Sequence, residues 1–384
     1  MIKCIHYIDK YMSNGGGMSL FVGDIAIDEI IITVETNRMD VRVKKITLEK
    51  NFIKKDEFLS IIKLENPEVV ILHTLKYLNK NLIKEIRKEN HKVILIVHDY
   101  YPICEKNVLL NNRKQICSGP YEKNCIYCYY DKFKILIPLD RNIRNLLNPF
   151  YSLFLRKVRW YETRLEHNNA IISELDLIVF PTHKVKTIMS RFIDPSIKSA
   201  VIRHFQRVCI SRREKPEKCE FAFIGHDSYH KGFELIKKIY KDFKFGNMKI
   251  HLFGEFKSII RSQNLLYEGT FENKNLSSPF SKFDVLLFPS IWPETSGRVI
   301  TEAASCGKYI IASNITSAKE ILGEYEGLIL VENNEPISLR MAMEKIYSEW
   351  DKKKYPLLPV KFKSVIEYRE KIFNILGGKN VGEN

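Results

Sequence analysis

The feature that most constrains this chain is a recurrence of short, wholly apolar runs, each followed by a stretch with helical spacing. Val69–Leu72, Val93–Val97 and Leu177–Phe180 are such runs in the first half; Phe221–Ile224, Ile250–Phe253, Val285–Phe288, Tyr309–Ala312 and Leu328–Val331 follow in the second. Runs of leucine, β-branched and aromatic residues bounded by Gly, Pro, His or Asp read as strands buried on both faces. Such strands need helices above and below them, and alternating strands and helices make parallel sheets. The fold class expected is therefore α/β. The chain has 384 residues, 45% of them apolar, more than one ordinary core takes up, so two domains are expected.

The break between them falls at Arg203–Glu220, where the periodicity lapses into the charged stretch QRVCISRREKPEKCE containing Pro216. That is the composition of a linker. The expected division is an N-terminal domain over 1–204, a second over 205–364, and a C-terminal helix and tail over 365–384, the helix read from the spacing in Val365–Leu376.

The N-terminal MIKCIHYIDKY lacks the apolar core and small-residue cleavage site of a signal peptide. No stretch approaches the eighteen uninterrupted apolar residues of a membrane span. A cytoplasmic location is expected, where the eight cysteines would be thiols or metal ligands rather than disulfides. The net charge of +15 suits a nucleic acid, an anionic membrane or a phosphate-bearing substrate. Nucleic acid is the least supported: the basic residues are spread along the chain, and no recognition helix or RNA-binding motif appears.

The strongest chemical signal is DVLLFPSIWPETSGRVITEAASCGKYIIASN, Asp284–Asn314. It reads as a strand (Asp284–Phe288), a loop (Pro289–Thr295), a helix from Ser296 to Cys306 closed by Gly307, and the next strand. In open parallel sheets, ligands bind beyond the carboxyl ends of strands. Glu294 lies in that loop. Glu302 lies on the helix, where side chains lean toward the N-terminus, and so can point back to the same crevice. Between them the amides around Ser296, Gly297 and Arg298 form a positive helix start suited to phosphate. Carboxylates for sugar hydroxyls beside amides for an anion suit a nucleotide-sugar. Taken alone, two glutamates are more often a solvated loop acid and a surface helix acid; it is the surrounding WPE, TSG and EAASCG that favours a site.

This segment resembles the E-x7-E signature of retaining glycosyltransferases of the GT-B fold, in the large family four of polysaccharide-assembling and sucrose-related enzymes. The resemblance implies two Rossmann-like domains facing each other across a donor-binding cleft. It also implies that Glu302 binds the donor ribose, that Glu294 holds the transferred sugar, and that Ser296, Gly297 and Arg298 lie by the diphosphate. Retention of stereochemistry rests on the resemblance alone.

Weaker motifs fit the same family. FAFIGHDSYHKG, Phe221–Gly232, keeps the spacing of the family's Gly-Arg, four residues, Lys-Gly, so Lys231 matches the diphosphate-binding lysine. His226 replaces the arginine, a departure that Arg298 or Arg203 would have to compensate. VILIVHD, Val93–Asp99, puts His98 at a strand end, where the family has a histidine near the reacting carbon. A hydrogen-bond donor there would stabilise charge on the leaving phosphate; the bland reading is a structural histidine oriented by Asp99. NGGG, Asn14–Gly17, follows a first strand at Ile2–Tyr7 and matches the family's glycine loop, with Gly16 and Gly17 near the donor; alone it is also an ordinary flexible loop.

Cys104, Cys117, Cys125 and Cys128 lie in one stretch, and Cys125-x2-Cys128 is half of a common zinc site. A structural zinc site and four reduced thiols both remain open. No cofactor is expected for catalysis, and no Asp-x-Asp motif of metal-dependent sugar transferases occurs. Asp140–Leu165 is amphipathic and arginine-rich, fitting either packed helices or a peripheral seat on an anionic membrane. The function expected is transfer of a sugar from a UDP- or GDP-sugar to a glycan or lipid-linked acceptor in cell-surface polysaccharide synthesis. The alternative is an inactive carbohydrate-binding or scaffold protein of the same fold.

Overall fold

Among the described residues thirteen strands, all paired in parallel, carry the apolar runs into two sheets. They are β1 (Cys4–Tyr11), β2 (Ile30–Thr36), β3 (Lys44–Thr47), β4 (Val69–Leu72), β5 (Lys92–Ile96), β6 (Leu177–Phe180), β7 (Ser199–Val201), β8 (Phe221–Ile224), β9 (Ile250–Phe253), β10 (Leu265–Gly269), β11 (Val285–Phe288), β12 (Tyr309–Ser313) and β13 (Leu328–Val331). The structure is a computed structural model; it describes residues 3–11, 17–26, 29–36, 44–47, 55–120, 125, 128, 163–206, 214–242, 248–257, 263–271, 277–355 and 357–378. Gly16 and most of the amphipathic stretch 140–165 lie outside these residues.

The first sheet has the order β3-β2-β1-β4-β5-β6-β7 and the second β10-β9-β8-β11-β12-β13. The central strands are buried along their length, as β4, β6, β9, β11 and β12 show, because helices cover both faces of each sheet. Both orders turn back between the first strand of the lobe and a later one: β1 lies beside β4, and β8 beside β11. Connections leave in opposite directions at such a point, which opens a crevice at the carboxyl ends of the strands.

The last helix, Val365–Leu376, returns to the first lobe. A capping box at Ser364 and Glu367 starts it. Its Tyr368 and Ile372 then pack in the core that contains Phe21, Ile71, Ile96 and Phe205. The chain crosses between lobes at residues 203–206, where Phe205 and Gln206 are buried and Thr301 donates to Gln206 Oε1 at 2.9 Å. That part of the charged stretch is packed structure. The helix expected from Ser296 begins at Arg298 instead, because Gly297 takes a left-handed φ of 51° and keeps the loop two residues longer.

Candidate functional site in the cleft between the sheets

A cavity of about 250 Å³ lies between the lobes, lined by Gly17, His98 and Asp99 from the first and by Lys231, Glu294, Ser296 and Arg298 from the second. Gly17, Lys231, Glu294, Ser296 and Arg298 follow strands at the two switch points, and His98 and Asp99 follow β5, one strand beyond β4. A Cβ placed on Gly17 would meet nothing within 4 Å, so the backbone there is open to a ligand.

Lys231 and Glu294 are brought together by the close approach of two loops. After β8 a single 3-10 turn, Tyr229–Lys231, ends at Gly232 with φ 79°. A Cβ on Gly232 would stand 1.9 Å from the Pro289 carbonyl oxygen, so only glycine lets the loops meet. The Ile291 N–H donates to the His230 carbonyl at 2.9 Å and ties them. Lys231 Nζ then lies 2.5 Å from Glu294 Oε1. Ser290 Oγ donates to Glu294 Oε2 at 2.8 Å, and Ser317 Oγ donates to the Glu294 carbonyl at 3.1 Å. Glu294 is only 8% exposed. A carboxylate so far from water needs a cation and hydrogen bonds, and here it has both.

Glu302 is placed differently from expectation. It is 3% exposed and does not line the cavity. Arg298, one helical turn earlier, donates from Nε to Glu302 Oε1 at 2.9 Å and from Nη2 to Asp24 Oδ2 on the first-lobe helix Gly17–Ile25 at 3.1 Å. The guanidinium thus joins the two lobes and covers the carboxylate assigned to a ribose. The helix Arg298–Ser305 has no side-chain cap at its N-terminus, which leaves its first amides to a ligand. Two further bonds close the lobes on this loop: Thr295 Oγ1 donates to the His98 carbonyl at 2.6 Å, and the Tyr100 hydroxyl donates to the Pro293 carbonyl at 2.8 Å.

Burial pushes the His98 imidazole down to about 3, so it is neutral at ordinary pH. Burial also lifts the Asp99 carboxyl to about 6, against the lowering effect of the bond from the Tyr101 N–H. Asp99 therefore lines the cavity as a group that titrates near neutrality, which a reading of it as a mere orienter misses. His226, by contrast, is exposed and outside the cavity. Its neighbour His230 is part-buried, with its ring 5.7 Å from that of Trp292. Burial and then Lys231 hold its imidazole down to about 4. The sequence signal for His230 was its place directly before Lys231. Arg203 and Arg298 both line the cavity, where a phosphate lacking the family's arginine could meet them.

The four cysteines share a second cavity of about 500 Å³ in the first lobe. They do not fit a metal centre as they stand. Among the described residues no three His, Cys, Asp or Glu side chains converge as a metal-binding group. Cys117 Sγ lies 3.1 Å from the Gly119 carbonyl oxygen and Cys128 Sγ 3.7 Å from that of Leu110. Burial pushes the Cys104 thiol up. Cys306 is disulfide-bonded, against the expectation that the cysteines are thiols or metal ligands.

Residues 210–356 match the family model of the glycosyl transferases group 1. This span holds the whole second sheet, Lys231, Glu294 and Glu302. Over that span the C-terminal lobe is similar to the glycosyl transferases group 1. The fold of the whole chain is GT-B, two Rossmann-like sheets facing a common cleft. HepE of Anabaena, in complex with UDP-glucose, superposes with a TM-score of 0.67 at 12% identity, over 98% of this chain and 100% of that one. Sucrose-phosphate synthase of Thermosynechococcus elongatus superposes at 0.63 and 13%, over 97% and 95%. At such identities the likeness is one of fold. An uncharacterised 41.2 kDa protein of the cps region of Klebsiella pneumoniae is 30% identical over 121 residues, 30% of this chain and 33% of that protein. The chain matches about a third of the length of its curated relatives, 33% and 37%. Among the described residues of this GT-B chain, no helix is long and apolar enough to cross a membrane.

Proposed function

We propose that this protein is a glycosyltransferase that moves a sugar from a nucleotide-sugar to a glycan or lipid-linked acceptor, with retention, in cell-surface polysaccharide synthesis. The observation that carries this reading is the Lys231–Glu294 pair, 2.5 Å apart, beside an uncapped helix start and opposite His98 in one cleft.

In this reading Lys231 and the amides at Ser296–Arg298 take the diphosphate, and Glu294 takes hydroxyls of the transferred sugar. The leaving group is a nucleoside diphosphate, so the site must stabilise charge growing on the phosphate nearest the sugar. Fixed cations and amides already aimed at that point do so without reorganising. Donor entry exchanges partners: Lys231 leaves the glutamate for phosphate, and Glu294 leaves the lysine for sugar hydroxyls. Arg298 must likewise yield part of its hold on Glu302 if that carboxylate is to meet a ribose. The phosphate charge is met by protein groups, so transfer is expected to persist in chelator. The UDP-glucose held by HepE and the cps-region location of the Klebsiella relative support a UDP-sugar and a polysaccharide setting.

The test is transfer from a panel of UDP- and GDP-sugars to lipid-linked and soluble glycan acceptors. Release of nucleoside diphosphate that depends on both donor and acceptor supports the reading. Donor binding with no turnover on any acceptor points to the inactive scaffold instead.

A further inference from the structure

His98 does not stand alone behind the cleft. Its Nε2 lies 2.8 Å from His73 Nδ1. His73 Nε2 lies 3.0 Å from His6 Nδ1, and His6 Nε2 lies 2.9 Å from Glu29 Oε2. Glu29 is forked by Arg369, with Nη1 and Nη2 each 2.7 Å from one carboxylate oxygen. It also accepts from the Cys4 N–H at 3.1 Å. His6 and His73 are buried and stacked, centroids 5.3 Å apart at 11°. Phe21, 4.9 Å from the His98 ring, and His204, 5.3 Å from it, complete the surroundings.

The direction of every bond in this chain follows from its inner end. An ionised carboxylate only accepts, and the bidentate arginine keeps Glu29 ionised. The nitrogen of His6 that meets Glu29 therefore carries the hydrogen. A neutral imidazole has one N–H, so the other nitrogen of His6 accepts, and His73 must donate to it. The same step repeated makes His73 Nδ1 an acceptor and His98 Nε2 a donor. The opposite direction would need a protonated Glu29 against the Arg369 charge, or a charged imidazole in a buried, dry site.

We propose that Glu29, acting through His6 and His73, holds His98 as the Nε2–H tautomer, so that its Nδ1 is left to accept a hydrogen bond from a hydroxyl of the bound sugar or acceptor. This rests on the reading of the cleft as a sugar-transfer site, and it reverses the polarity expected of His98 as a donor to the leaving phosphate. Glu29, His6 and His73 are positioning residues: each acts on substrate only through His98. The chain fixes a tautomer and does not drain protons, because a proton arriving at Glu29 would have to displace the Arg369 charge.

The test is a long-range proton–nitrogen spectrum of the full chain labelled with 15N-histidine, near pH 7.5, with His98 assigned from a His98→Asn sample. A pyrrole-type Nε2 and a pyridine-type Nδ1 are expected; a protonated Nδ1 in the wild type overturns the proposal without any variant. His6→Phe keeps the ring volume but cuts the link to Glu29. His98 should then show a mixture of tautomers, and kcat for sugar transfer should fall by about ten-fold or more with the donor KM changed less than about two-fold. A His98 that stays wholly Nε2–H in a folded His6→Phe protein shows that Glu29 does not set it. If the wild type transfers no sugar, the sugar-transfer reading fails, while the spectrum still decides the tautomer.

Discussion

Lys231 Nζ, on the turn after β8, and Glu294 Oε1, on the loop after β11, lie 2.5 Å apart, and each is the other's nearest charge. The two groups assigned to opposite ends of one substrate bond neutralise each other in the cleft. Substituting one therefore changes what is left for the other. Glu294→Gln should bind a nucleoside diphosphate at least as tightly as wild type, because Lys231 is released. It should lose sugar transfer by about a hundred-fold or more. Calorimetric titration beside a transfer assay checks this; equal loss of both would show that Glu294 only supports the fold.

Gly232→Ala forces a Cβ into the Pro289 carbonyl oxygen, 1.9 Å away, at a φ of 79°. The loops must separate, so Lys231 loses Glu294. We expect a stability loss of about 1–3 kcal/mol and donor affinity lowered with it. A denaturant midpoint equal to wild type would show that the approach of the loops costs nothing to relax.

Asp24→Asn removes the first-lobe anion from Arg298, which is bonded at 3.1 Å. Hydrogen bonds to charged groups contribute about 1.5–3 kcal/mol, here across the cleft. The expected result is a lobe pair that opens more readily: a larger radius in solution scattering of the free protein, restored by donor. Unchanged scattering would mean that the other contacts between the lobes, such as those of Tyr100, Thr295 and the Lys184 N–H with Glu320, hold them without it.

Acid should destabilise this fold early. His6, His73, His98 and His204 are all held below the ordinary value of 6.5, chiefly by burial, His98 down to about 3. As the pH falls below 6.5 the unfolded chain takes up protons that the folded chain refuses, so stability present above 6.5 is lost as pH falls towards 3. Asp99, lifted from 3.8 to about 6, works the other way: its contribution favours the fold more as the pH drops from 6 to 4. Glu29, lowered from 4.5 to about 2, adds a loss only below 4.5. With His230, also held down to about 4, five histidines stand against one aspartate, so unfolding near pH 5 takes up protons on balance. Urea midpoints measured from pH 7.5 to 5 should fall steeply; a flat profile would contradict the buried neutral chain.

Much of this was legible in the sequence, for a physical reason. Strands such as β4, β8 and β11 are buried on both faces, so nothing in their runs is polar, and their ends locate Lys231 and Glu294. The edge strand β3 and its neighbour β2 do not stand out, because the segment after Gly17 lacks an apolar run set off from its helix. Glu302 was assigned to a ligand because helical spacing gives a direction; it cannot show that Arg298 would take the carboxylate first. His226 matches a family position by spacing alone, and it lies exposed and outside the cavity. The chain from Glu29 to His98 was unreadable. Its members come from residues 29, 6, 73 and 98, and only strand order places β1, β4 and β5 side by side. The helix Val365–Leu376 was read correctly as a helix, while its seat on the first lobe depends on Arg369 meeting Glu29, 340 residues away.

Donor binding tests the central claim most directly. The wild-type protein and Lys231→Ala should be titrated by calorimetry with UDP, GDP and their common sugars, each with and without chelator. The account predicts that one nucleoside diphosphate family binds, that chelator leaves the affinity unchanged, and that Lys231→Ala weakens it by about ten-fold or more. Folded wild-type protein that binds none of these ligands would contradict it.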